Sequence, residues 1–360
     1  MKKILFVVPL YKNRSPSQRF RIEQFTDFFQ ENGFICETSN LITPETDRLF
    51  YSKGNILQKL FLFFKFGLIR IKDVLRASKY DIVFVQREAF FVGPAIFEKL
   101  FSRKTKLVFD FDDAIWLPNI SKANKKLEWL KNYKKTSKII AYADSVIAGN
   151  EYLKQYALQY NKTVVVIPTT VDTNKYKKLK STDTTDTVVI GWSGSVTTVQ
   201  HFEYAIGFLK KLKEKYGRKI EIKLIGDGAY QNEVLGIKGI AWNNETEIQD
   251  LSEFDIGIMP LPDDEWTNGK CGLKGLLYMA LEIPAVMSPV GVNTEIIQDG
   301  ENGFLAAQEE EWVEKLSRLI DDKDLRIRLG KAGRKTVVEK YSVEANKEKY
   351  LTVFNEVLSK

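Results

Sequence analysis

Two lysines four residues apart carry the most specific chemical signal in this sequence. They stand in Trp266-Thr267-Asn268-Gly269-Lys270-Cys271-Gly272-Leu273-Lys274-Gly275-Leu276-Leu277-Tyr278-Met279-Ala280, which follows an apolar run and opens a helical pattern. At that spacing Lys270 and Lys274 share a helix face if both are helical. Two ammonium groups at a helix N-terminus repel each other and oppose its dipole. An anion between them resolves the conflict. A diphosphate meets that need, and as a leaving group its growing charge would be stabilised. Solvated lysines are the plainer alternative, since lysine is abundant here. Gly272, and Gly194 and Ser195 in the turn Gly191-Trp192-Ser193-Gly194-Ser195, join this anion site. Small residues after a strand let a phosphate approach the backbone amides.

A second cluster is acidic. Val108-Phe109-Asp110-Phe111-Asp112-Asp113-Ala114-Ile115-Trp116 crowds three carboxylates at the end of an apolar run. Carboxylates this close repel, so a cation, a metal or a raised pKa must compensate. Arg87, in Gln86-Arg87-Glu88, is the candidate cation. Asp112 or Asp113 would orient or deprotonate an acceptor hydroxyl. Bound Mg²⁺ is a second reading, and solvated helix caps a third. The run also resembles the nucleophile motif of haloacid-dehalogenase-type phosphatases. Their usual Thr is absent, however, and three strand patterns precede the motif instead of none.

A third feature is Ser15-Pro16-Ser17-Gln18-Arg19-Phe20-Arg21. Ser15 reads as a helix cap, Pro16 as the first helical residue, and Gln18 as the partner in a capping box. A helix N-terminus there, with Arg19 and Arg21 beside it, favours an anion. A well-capped helix with surface arginines is the alternative. The glycine-rich fingerprint of dinucleotide binding is missing.

Alternating elements position these residues. Strand-like runs are Ile4–Pro9, Phe34–Thr38, Asp81–Val85, Lys106–Phe111, Ser145–Ala148 and Val164–Pro168, with helical patterns between them, such as Pro16–Gln30 and Lys122–Ala143. The pattern restarts with Val188–Trp192, Ile220–Ile225, Gly239–Trp242, Asp255–Pro260 and Ala285–Ser288. Such alternation predicts an α/β protein of two doubly wound, Rossmann-like parallel-sheet domains. Residues 1–172 form the first and 188–342 the second, with a linker at 173–187. A terminal helix over 343–360 crosses back to the first domain. Ligands of open parallel sheets bind beyond the carboxyl ends of the strands, so the two sites would face each other across a cleft.

Composition excludes several classes. A single histidine, His201, and two distant cysteines, Cys36 and Cys271, argue against zinc sites, disulfide frameworks and Ser-His-Asp machinery. No cofactor is expected. The start, Met1–Pro9, is a poor signal peptide and reads as a buried strand, which predicts a cytoplasmic protein. Net charge is +7, which attracts phosphates in general.

Positive charge concentrates at Lys53, Lys59, Lys65, Arg70, Lys72, Arg76 and Lys79, against the single acid Asp73. Leu57, Leu60, Phe61, Phe64, Leu68, Ile71 and Leu75 recur there at helical spacing. A basic amphipathic helix of this kind can lie on an anionic membrane, here the inner membrane face. The alternative packs the apolar stripe on the sheet and leaves the charges in water. A second basic run includes Lys122, Lys125, Lys126, Lys131, Lys134, Lys135 and Lys138. No nucleic-acid motif accompanies the charge, so nucleic acid is not an expected partner.

In motif order the chain resembles glycosyltransferase family 4, the retaining GT-B enzymes, over nearly its whole length. Val166-Ile167-Pro168-Thr169-Thr170-Val171-Asp172 is similar to the interdomain segment IPNGVD, and Leu224–Gly228 to the turn IVGDG. Phe254–Pro260 resembles ADIFVLPS; Met279–Val286 and Gly300–Leu305 resemble EAMAxGxPVV and DGxNGFLV. The resemblance implies a GT-B fold and transfer of a sugar, with retention and without metal. The donor is a nucleoside-diphosphate sugar and the acceptor a lipid-linked or saccharide hydroxyl, as in cell-surface polysaccharide or glycolipid synthesis. Lys270, Lys274, Gly272, Gly194 and Ser195 would hold the donor, with Arg19, Asp112 and Asp113 as catalytic residues and Arg87 and Asp110 on the acceptor side. The chain also departs from the family. Its two glutamates, seven residues between them, fall on Gly269 and Leu277, and Trp192 with Gln200 or His201 stands near its donor Arg and Lys. Its frequent first-domain histidine is absent, with Asp110–Asp113 in about that region. A sugar-nucleotide epimerase of the same fold and an inactive donor-binding subunit are therefore alternatives.

Overall fold

The computed structural model describes residues 1–52, 54–118, 132–179 and 187–360. Lys53, the basic residues 122–131, and with them the first part of the helix expected over Lys122–Ala143, and the polar tract 180–186 lie outside the described residues. The chain divides into two compact units. One comprises Met1–Thr169 with Asn346–Lys360, the other Thr170–Ala345.

The first unit is built on β1 (Lys2–Val8), β2 (Phe34–Asn40), β3 (Ile82–Gln86), β4 (Lys106–Phe111), β5 (Ser145–Ala148) and β6 (Val164–Val166). They form one parallel sheet in the order β2-β1-β3-β4-β5-β6. Its helices are α1 (Pro16–Arg21), α2 (Thr26–Glu31), α3 (Pro44–Tyr51), α4 (Ile56–Arg76), α5 (Ile96–Ser102), α6 (Lys135–Tyr142) and α7 (Glu151–Leu158). A sheet covered on both faces needs strands apolar on both faces. That is why β3, Ile-Val-Phe-Val-Gln, is buried at every residue.

The second unit holds β7 (Val188–Ser193), β8 (Ile220–Ile225), β9 (Gln231–Asn232), β10 (Ile237–Lys238), β11 (Ile256–Met259), β12 (Ala285–Met287) and β13 (Phe304–Leu305). Five of them make a parallel sheet in the order β13-β12-β11-β7-β8, and β9 and β10 form a small antiparallel hairpin. Its helices are α8 (Val199–Phe202), α9 (Ile206–Tyr216), α10 (Glu247–Ser252), α11 (Glu265–Asn268), α12 (Leu273–Ala280), α13 (Asn293–Ile296), α14 (Glu309–Asp321) and α15 (Lys323–Thr336). The last helix, α16 (Val343–Ser359), returns the chain to the first unit from Asn346 onward. There Tyr350 and Phe354 pack their rings against Phe25, Phe29 and Phe34.

Three expectations need correction. The helix over Pro16–Gln30 breaks at Ile22 into α1, a short 3₁₀ turn at Glu23–Phe25 and α2. Gly239–Trp242 is not a strand; only a single bridge joins Ile240 to Ile225, and the pairing residues are Ile237 and Lys238. Residues 173–179, expected as linker, fold onto the second unit: Tyr176 is buried with its hydroxyl on Glu247, and Arg334 binds its carbonyl at 2.8 Å. For α4, of the two readings the sequence leaves open, inward packing of the apolar stripe is not the one adopted. Its buried side is Leu62, Phe66, Arg70, Asp73 and Val74, while Leu57, Phe61 and Phe64 stand in solvent.

Candidate functional site

In each sheet the strand order reverses next to its first strand, between β1 and β3 in the first unit and between β7 and β11 in the second. Such switch points open a crevice at the carboxyl strand ends, where ligands of open α/β sheets bind. The residues singled out in the sequence fall at these two places.

In the first unit the acids separate into two ion pairs. Asp110, fully buried, receives Arg21 Nε on both oxygens, at 3.0 and 2.9 Å, and Nη2 at 2.5 Å. Arg21 also donates to the Ile167 carbonyl at 2.7 Å, and Tyr350 donates to the Arg21 carbonyl at 2.8 Å. Burial alone would lower the Arg21 pKa. Asp110 outweighs it and holds the guanidinium well above its ordinary value. Arg87 takes the other two acids, Nε to Asp112 at 2.8 Å and Nη2 to Asp113 at 2.6 Å. It pairs with them as the sequence reading expects of its cation. Arg87 has φ of 60°, unusual for a non-glycine residue, and its amide donates to the Asp110 carbonyl at 2.7 Å. That strained turn aims the guanidinium across the ends of β3 and β4.

Asp112 is also held by the hydroxyl of Ser17, which accepts Gln86 Nε2 at 2.6 Å. Burial pushes the Asp112 carboxyl up, but Arg87 and these hydrogen bonds pull it further down, to about 2. A carboxylate that acidic is a weak base, so the arrangement suits orienting a hydroxyl better than deprotonating it. Asp110 is closed off from solvent, so neither an acceptor contact nor the phosphatase-type nucleophile reading suits it. Among the described residues no group of three acids, histidines or cysteines is placed to hold a metal. Arg19 is buried with its guanidinium over the Phe20 ring at 5.0 Å; the arginine clamping the acids from α1 is Arg21. The capping box expected at Ser15 does not form, because Gln18 turns to Glu23 at 2.7 Å. Ser17 and Gln86 were not among the expected site residues. Their position at the ends of α1 and β3 is the only sequence signal they carry.

In the second unit Lys270 and Lys274 do not share a helix. Asp264 caps α11, which stops at Asn268, and α12 begins at Leu273. Gly272 between them has φ of 68°, and a Cβ there would sit 2.3 Å from Ile296 Cδ1. Only glycine makes this turn without strain. It starts α12 so that Leu276 makes the first intrahelical bond, to Gly272 O at 3.1 Å. The amides of Leu273, Lys274 and Gly275 precede that bond and form the positive end of the helix. Lys274 Nζ lies 5.4 Å over the Trp192 ring, and Lys270 Nζ 5.0 Å over the Trp266 ring. Below them Tyr278 crosses β11 at Gly257, where a Cβ would be 2.2 Å from its ring, and its hydroxyl accepts Ser193 N–H at 2.8 Å. Burial pushes this phenol up to about 12, so it stays neutral.

The turn after β7 differs from expectation. Gly194 N–H donates to Ile225 O at 2.9 Å and Ser195 N–H to Thr198 Oγ1 at 2.9 Å. Both amides are consumed by the fold and do not point at an anion. Gly194 serves close packing: its carbonyl lies 2.2 Å from the place where a Cβ of Gly226 would stand. The Ser195 hydroxyl is exposed beside the Thr197 hydroxyl at 3.0 Å. Gly269 and Leu277, the positions that the sequence reading sets against the family's glutamates, are both buried.

Residues 187–322 match the family model described as Glycosyl transferases group 1. No curated protein matches the sequence. Solved structures share the fold at low identity. A glycosyltransferase from Rickettsia africae ESF-5 has a TM-score of 0.70 at 18% identity, with 99% of this chain and 98% of that one covered. Sucrose-phosphate synthase from Thermosynechococcus elongatus has 0.69 at 12%, covering 100% of both chains. Anabaena HepE, solved in complex with UDP and glucose, has 0.68 at 14%, covering 99% and 100%. Its two parallel-sheet units thus have the GT-B fold of these structures, and the stretch 187–322 within the second unit is similar to the group 1 glycosyl transferases.

Proposed function

We propose that the second unit binds a nucleoside-diphosphate sugar with its diphosphate at the β7/β11 switch point. Lys270, Lys274, the Ser195 hydroxyl and the first-turn amides of α12 supply the charge, and Gly272 sets the turn. The observation that carries this reading is the meeting of Lys274 with the helix start beside Trp192. A ring face orients an ammonium group, and a helix N-terminus favours an anion. As the sugar bond breaks, charge grows on the leaving diphosphate, and these groups stabilise it. In the first unit Asp112 and Asp113, positioned by Arg87, orient the acceptor hydroxyl. The acceptor is a lipid-linked or saccharide hydroxyl, the configuration is retained, and the chain works against an anionic membrane. The inhospitable positions Gly269 and Leu277 favour, as a second reading, a donor-binding subunit without turnover.

A coupled assay of nucleoside diphosphate release, run with and without acceptor lipid extract, tests the reading. Release that requires acceptor is expected. Interconversion of the donor sugar without acceptor would instead support an epimerase, and donor binding with no turnover on any acceptor pool would support the inactive subunit.

A further inference from the structure

The exposed face of α4 belongs to neither strand-end site. Leu57, Phe61, Phe64, Leu68, Ile71 and Leu75 on it are each 50% to 82% exposed. At about 100° per residue they fall in one sector running the length of the helix, roughly 30 Å. An apolar stripe of this width ordinarily faces a core. Here Leu62 and Phe66 on the opposite side already fill that role, against Leu41 and Ile42. Large apolar side chains exposed side by side in this way mark a protein or membrane contact.

Charge selects the occupant. Lys65 and Lys72 are exposed on one flank of the stripe. The only acid of the helix, Asp73, is buried, and Arg70 at 2.8 Å and Arg76 at 3.0 Å hold it. The outward face therefore combines apolar groups with positive charge. A second copy of this chain, itself at net +7, would bring the same lysines to the same patch, which is unfavourable. No described helix is long and apolar enough to cross a membrane. We infer that α4 lies flat in the interface of an anionic lipid bilayer, its apolar stripe at the acyl boundary and Lys65 and Lys72 reaching the head groups. The inference rests on the membrane contact proposed above and names the element and orientation that make it.

Arg70 gives the docked helix a consequence for the site. Its guanidinium is fully buried and donates to Val8 O at 2.8 Å, Ser39 O at 3.2 Å and Ala89 O at 2.6 Å. Those carbonyls lie at the ends of β1 and β2 and in the loop two residues after Arg87. A lipid-seated α4 thereby fixes the height above the bilayer of the strand ends carrying Arg87 and its two carboxylates. An acceptor hydroxyl carried on a lipid head group arrives from that side.

Sedimentation of the whole chain with phosphatidylcholine vesicles, with and without phosphatidylglycerol, tests this. Binding to the anionic vesicles is expected to exceed binding to neutral ones at least about tenfold and to weaken with salt. Phe61→Glu with Phe64→Glu should abolish it, and Lys65→Glu with Lys72→Glu should reduce it about tenfold. Phe64→Trp should show a blue-shifted emission, quenched by brominated lipid, only when vesicles are present. Donor binding, followed by thermal shift without lipid, should be the same in the Phe61 and Phe64 variant, so failure of docking and failure of the donor site are read separately. Three results overturn the inference: wild type left in the supernatant, the double glutamate variant sedimenting like wild type, or a lipid-free dimer that the double glutamate variant dissolves.

Discussion

The two strand-end sites occupy equivalent topological positions and are built from different groups. In the first unit Arg21 pairs with Asp110, and Arg87 with Asp112 and Asp113. In the second, two lysines stand over indole rings beside the start of α12. The first arrangement is a scaffold of arginine–carboxylate pairs with fixed geometry. The second brings ammonium groups, ring faces and a helix N-terminus to one place. On the function proposed above, the first would orient a hydroxyl and the second would recognise a diphosphate.

Breaking the scaffold should have the largest effect. Arg21→Met leaves the Asp110 carboxyl buried without its partner, which should destabilise the protein by about 3–5 kcal/mol in chemical denaturation. A loss below about 1 kcal/mol would mean that the pair is not the closed unit described. In the second unit the comparable weak point is backbone shape. Gly272→Ala puts a methyl group 2.3 Å from Ile296 Cδ1 at a left-handed residue. About 2–4 kcal/mol of stability should be lost, with donor binding impaired as α12 shifts.

Acid sharpens the contrast further. The Asp112 carboxyl is lowered in the fold from 3.8 to about 2. A group lowered on folding contributes stability above its unfolded value and loses it as pH falls through the folded one. About 2 kcal/mol should therefore disappear between about pH 4 and pH 2, and Asp112→Asn should remove that part of the pH dependence. Identical acid profiles for the variant and wild type would contradict the ion pair with Arg87.

The strands were legible because each is a short apolar run, and β3, β4 and β5 fall within a residue of their expected bounds. The Arg21–Asp110 pair was not, because 89 residues separate its members and nothing local distinguishes Arg21 from Arg19. Backbone commitments were equally hidden. No residue type announces that Gly194 N–H is taken by the end of β8. The lysine pair was half legible. Its chemistry was readable, but Gly269 ends one helix before Lys270 and Gly272 starts another between the two lysines. In α4 the apolar residues run almost all round, so periodicity could not tell which side faces the core; the buried Arg70–Asp73 pair decides it.

The most direct test is a calorimetric titration at Lys274. UDP, ADP, GDP and dTDP are screened by thermal shift, and the most stabilising is titrated into wild type, Lys274→Ala and Lys274→Arg. The account predicts that alanine weakens binding by at least about tenfold, roughly 1.4 kcal/mol, and that arginine retains most of it. Equal affinity in the alanine variant and wild type would contradict the assignment of the diphosphate to this helix start.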